Sequence, residues 1–161
     1  VAAQGKSSQI GAPEPALEPE APAPAELMRA ATEACLRNYR TPDDIPGALE
    51  AAGLTLAPGM DADSYDVSGP GLWGIAAPSE LYCTFQSRDL PLADAKAMGT
   101  DLANTLFPGM IQEGHPERGM GSPCDGLSIF APQSLIWLHY AQAGNSGECV
   151  DDGSSAIILN M

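Results

Sequence analysis

The sequence predicts an α+β domain, with about three helices on one face of an antiparallel sheet of four to five strands, preceded by a disordered tether. Three observations carry this expectation. Apolar residues recur at spacings of three and four in two separate stretches, three β-branched or aromatic runs divided by turn residues close the chain, and a Pro/Ala/Glu-rich stretch precedes everything else. A chain of 161 residues with 44% apolar content is one domain's worth and fills one core.

The tether is residues 1–26. "VAAQGKSSQIG" has no periodicity, and "APEPALEPEAPAPAE" repeats Ala, Pro and Glu; its prolines fix φ and remove backbone donors while its like charges repel. An extended spacer is expected there, with a single domain over residues 27–161. From Leu27 onward Met28, Ala31, Cys35 and Tyr39 form one buried stripe of a helix. Thr41-Pro42-Asp43-Asp44 ends it and opens a short second helix, with Ile45, Ala48, Leu49 and Ala52 inward and Gly53 just past its end.

Residues 54–71 mix Thr, Tyr and Val with Pro-Gly and Gly-Pro-Gly punctuation, which reads as one or two short strands. In "GLWGIAAPSELYCTFQS" the alternation of Leu81, Cys83 and Phe85 with Tyr82, Thr84 and Gln86 predicts one half-buried strand. Asp89 and Pro91 open a third helix, with Leu92, Ala95, Met98, Leu102 and Leu106 on one face and Phe107-Pro108-Gly109 as its stop. "GLSIFA", "SLIWLHYAQ" and "SSAIILNM" then read as three closing antiparallel strands.

Four cysteines, Cys35, Cys83, Cys124 and Cys149, stand far apart without a CxxC pair, which excludes the usual zinc-finger and thioredoxin-like spacings and favours disulfides. The even cysteine count, the scarcity of lysine and a first residue, Val1, that is not Met lead us to expect an exported, periplasmic or extracellular protein whose signal peptide has been removed. Cys35 shares the inward stripe of the first helix and Cys83 the face of Leu81 and Phe85, so a helix lying on that sheet face pairs Cys35 with Cys83. A hairpin about Pro132-Gln133 sets Cys124 level with Gln142, close to the loop carrying Cys149, and pairs those two.

The charge of −14, from 21 acids against 7 bases, argues against nucleic acid or anionic lipid as a partner and for a basic or neutral one. No apolar run reaches the length of a transmembrane helix. "DADSYD", Asp61 to Asp66, matches the oxygen-rich start of a calcium loop but has Asp66 where such a loop needs glycine and Leu72 where it needs glutamate, so it reads as a solvated turn. Asp151-Asp152-Gly153 reads as a turn as well.

A hydrolase built on Ser, His and Asp would need a nucleophile elbow, and the nearest approach, "GMGSPC", lacks its last glycine. The stretch "GMIQEGHPERGMGSPC" gathers Glu113, His115, Glu117 and Arg118, which we read as an exposed connection. Gly114 and Pro116 interrupt any ladder that would align Glu113, His115 and Glu117 as ligands for zinc or manganese. His139 falls on one face of its strand with Leu135 and Trp137 and reads as structural. Trp73, Tyr82, Trp137 and Tyr140 are the candidates for an aromatic ligand pocket, set against an ordinary core role.

No cofactor is implied, and no catalytic set is recognised. The function expected is therefore an exported, non-catalytic module that binds another protein. The alternatives are a metal-dependent hydrolase or other small enzyme using His115 with Glu113 and Glu117, with His139 as an optional further member, and a small-ligand carrier with an aromatic-lined pocket.

Overall fold

The helices stop and the strands turn where the sequence places Pro, Gly and Asp, but the sheet is nearly twice as wide as expected. The computed structural model describes residues 23–115, 124–144 and 149–161. Residues 1–22 of the expected tether, and Glu117 and Arg118, lie outside the described residues.

Helix α1 spans Pro24–Arg37 and begins three residues before Leu27, because Pro24 at its first position supplies a preset φ and lacks only an amide that would have no partner. A 3-10 turn, Pro42–Asp44, leads into α2, Ile45–Ala51, which ends before Gly53 at φ 98°. Strands β1, Thr55–Pro58, and β2, Tyr65–Gly69, form a hairpin whose turn holds Asp61 and Asp63. The single strand expected over 72–87 is two, β3, Leu72–Ala77, and β4, Tyr82–Ser87, joined by a 3-10 turn at Pro78–Glu80. Leu81 sits in that connection at φ 55°, so it leaves the core face that Cys83 and Phe85 share.

Helix α3, Leu92–Leu106, follows Pro91 and buries Leu92, Ala95, Gly99, Leu102 and Ala103. Strand β5, Ile111–Glu113, corrects the reading of this stretch as unpaired connection, since its three residues pair with Ile129, Ser128 and Leu127 of β6, Leu127–Ala131. Strands β7, Ser134–Ala141, and β8, Ser155–Asn160, complete the set.

Among the described residues the sheet therefore has eight antiparallel strands, in the order β1-β2-β3-β4-β8-β7-β6-β5, instead of four or five. The chain lays down one meander, β1 to β4, crosses over through α3, lays down a second, β5 to β7, and inserts its last strand between them. β8 is thus the seam. It pairs with β4 from Tyr82↔Asn160 to Ser87↔Ser155 and with β7 from Trp137↔Asn160 to Ala141↔Ala156. Ile157 and Leu159 point from it into the core, both without solvent exposure.

The three described α-helices pack together on one face: α1 lies over β4 between α2 and α3, α3 over β7 and β8, and α2 beside β1. Gly99 sets the approach of α3, because a Cβ there would collide with the Tyr140 hydroxyl on β7. Both expected disulfides are present. Cys35–Cys83 staples α1 to the middle of the sheet and Cys124–Cys149 ties the approach to β6 to the approach to β8, with sequence separations of 48 and 25. The carbonyl of Cys124 accepts the Tyr140 amide at 3.0 Å, so Cys124 stands slightly earlier along β7 than the expected level of Gln142. In the chain-entropy account, loops of these sizes correspond to about 4 and 3.5 kcal/mol of stabilisation. Two disulfides fit an oxidising extracellular or periplasmic setting. No described helix is long and apolar enough to cross a membrane.

Candidate functional site

Side chains alternate across a strand, so each residue of β2 to β8 that does not face the helices faces the other side of the sheet. Register arranges them in rows. One row runs Ser68, Trp73, Gln86, Ala156 and Ala141, the next Asp66, Ile75, Thr84, Ile158 and His139, and a third Ala77, Tyr82, Asn160, Trp137 and Ser128. Among the described residues no helix covers this face, yet Thr84, Gln86, Ser128, Trp137, Ala141 and Ala156 on it are buried, so its exposed part is local. A groove of about 760 Å³ opens along it over β8, between Tyr82 on β4 and Trp137 and His139 on β7. Glu80, Leu81, Leu135, Ile158, Met161, Asn160 and His115 complete its lining. Past Tyr82 and Ile158 lies a smaller hollow of about 220 Å³ bordered by Thr84, Gln86, Ala141 and Gln142.

Trp137 is the centre of the groove wall. His139, two residues along β7, stacks on its ring at 5.0 Å and 16°, and His115 meets it edge-on at 5.0 Å and 90°. Trp137 is only 8% exposed, and its Nε1 finds no hydrogen-bond partner among the described residues. The Asn160 amide nitrogen lies 3.2 Å from His139 Nε2. With that amide donating, Nε2 accepts and the neutral ring carries its proton on Nδ1.

His115 reaches the groove because Gly114 adopts φ 78°, which turns the chain after β5. That turn is tied down by the Gly114 amide on Gly126 O at 2.9 Å and by the Ser128 hydroxyl donating to Gly114 O at 2.6 Å. The consequence for the expected ligand set is direct. Glu113, one residue before the turn, borders a different cavity of about 120 Å³ with Lys96, Thr100, Asp125 and Tyr140. The structure therefore sends Glu113 and His115 to separate cavities. Among the described residues no three His, Cys, Asp or Glu side chains stand close enough together to hold a metal ion.

The four aromatic candidates also divide. Tyr82 and Trp137 line the groove. Trp73 shares the open face but lies beyond β4, under the Arg88 guanidinium at 5.6 Å from its ring centre. Tyr140 is on the helix face, 3% exposed beneath α3. Sequence reasoning passed over Glu80, Leu81, Ile158, Asn160 and Met161; for Ile158 and Asn160 the signal was present, as the alternate positions of a strand whose Ile157 and Leu159 face the core. Asp152, flagged as a turn residue, accepts the amide and hydroxyl of Ser154 at 3.0 and 2.5 Å just before β8, and these bonds hold its carboxyl below the usual carboxylate range.

The groove offers apolar contact, two imidazoles, a phenol and an amide, with Glu80 as its carboxylate. It holds no serine or cysteine nucleophile among those residues. Compared with protein-family models, curated proteins and solved structures, the chain matches none.

Proposed function

We propose that this chain is an exported protein-interaction module that docks a partner protein on the helix-free face of its sheet. One observation carries the reading. Of the large apolar side chains left exposed among the described residues, Met60, Met110 and Val150 stand in loops, while the others share that face: Leu135 and Leu81 line the groove at 42% and 36% exposed, Phe130 lies across the strand from Leu135 at 47%, and Ile75 stands further along the face at 37%. Exposed apolar groups grouped around a groove, and not scattered singly, are the usual mark of an interaction surface. The two disulfides support export.

The alternative of a metal-dependent hydrolase using Glu113, His115 and Glu117 has less support, because Glu113 and His115 border different cavities. The groove is an open trough and not an enclosed chamber, which favours a docked chain over a carried small molecule. The test is a photo-crosslinking residue placed at Phe130 or Leu135 and, as a control, at Glu50 on α2. Adducts with another protein in the exported fraction are expected from the first two positions and absent from the third. Adducts from Glu50 alone would overturn the reading.

A further inference from the structure

We infer that the segment seated in the groove is a cationic amphipathic stretch of its partner, with a large aliphatic side chain over Ile158 and a lysine or arginine beside Glu80. This rests on the reading of the open face as a docking surface and adds the chemistry of what docks there. The groove floor and lower rim are aliphatic, made by Ile158, Leu81, Leu135 and Met161, and so take an aliphatic anchor. Charge selects the rest of the segment. Glu80 is the groove's carboxylate, no lysine or arginine lines it among the described residues, and the molecule as a whole carries 21 acids against 7 bases. A cation brought to this rim meets Glu80 and the ring of Tyr82. The field of a chain with charge −14 draws it in, and the same field repels an acidic segment or a second copy of this chain.

The experiment titrates the whole protein with three short synthetic peptides, a Lys-Leu repeat, a Ser-Leu repeat and a Glu-Leu repeat, and follows the methyl signals of Ile158 and Leu135 by NMR. The Lys-Leu peptide is expected to shift both signals and to bind at least about tenfold more tightly than Ser-Leu, with Glu-Leu showing no binding. Glu80→Gln should weaken Lys-Leu binding by about threefold to fivefold, less so as salt rises, and leave Ser-Leu unchanged. Glu50→Gln on α2 should change neither. Equal loss from Glu80→Gln and Glu50→Gln would mean diffuse attraction to an acidic protein and would overturn the inference. Groove binding by Ser-Leu or Glu-Leu as tight as by Lys-Leu would refute the cationic chemistry while leaving the docking surface in place. If no peptide moves Ile158 or Leu135, the inference falls, and the crosslinking result at Leu135 decides separately whether the surface falls with it.

Discussion

Tyr140 shows how far one residue's role depends on which side of a strand it takes. It was a candidate for a ligand pocket, yet it lies under α3 with its hydroxyl buried beside Thr100, which is close enough to act on it but makes no hydrogen bond of good geometry. Burial pushes the phenol well above its ordinary range, and the adjacent Thr100 side chain opposes part of that shift. A phenol that resists ionisation in the folded state stabilises the fold below the unfolded phenol's value of about pH 10, and that contribution is lost as the pH rises further. Tyr140→Phe should change stability at neutral pH by no more than about 1 kcal/mol, since it removes a buried hydroxyl with only a poorly aligned neighbour in Thr100. It should also flatten the alkaline loss of stability, as urea titrations at neutral pH and above about pH 10 would read. Gly99→Ala places a Cβ against the same hydroxyl and should cost about 1–2 kcal/mol despite the better helix former. Combining it with Tyr140→Phe should recover part of that cost, a coupling that a double-mutant cycle measures.

At the scale of elements, the two disulfides do different work. Cys35–Cys83 joins a helix to the strand on which it packs, both ends fully buried, whereas Cys124–Cys149 joins two loop ends. Replacing both members of the first pair by Ala should lower stability by about 4 kcal/mol and the second by about 3.5, so denaturation midpoints should fall in that order. Their pairing was legible because a helix stripe and a strand alternation each fix which side a residue takes. Strand count was not. β3 and β4 read as one strand because two of the core-facing positions in β3, Gly74 and Ala76, are too small to make a clear alternation, and because Pro78–Glu80 forms a tight turn between two runs that are both apolar. β5 was missed because it is three residues long, Ile111–Glu113, and owes its existence to pairing with β6 and not to any pattern of its own.

For the whole molecule, one face of the sheet is packed against the described helices and the other is exposed in part, around Phe130, Leu135 and the groove, and substitutions should respond accordingly. Ile129, without solvent exposure on the helix side of β6, should cost about 3 kcal/mol or more when changed to Ser. Its neighbour Phe130 on the open side should cost under about 1 kcal/mol when changed to Ser but abolish crosslinking to the partner through Leu135. Thermal melts and the crosslinking assay together distinguish these outcomes. Loss of the fold from Phe130→Ser would mean that the open face belongs to the core.

The sequence by itself determined the class of the fold, the helices, the three closing strands and both cystine pairs, because these follow from local periodicity and from which side of an element a residue takes. It also determined the acidic charge. Only the tertiary structure decided that the last strand is the seam between two meanders, since pairing partners far apart in sequence are chosen by packing and not by propensity. For the same reason only the structure brought His115, carried past β5 by one glycine turn, against Trp137 beside His139, and sent Glu113 to another cavity. A groove has no local signature. It exists where β4 is brought beside the much later β8 and β7 and no described helix covers them.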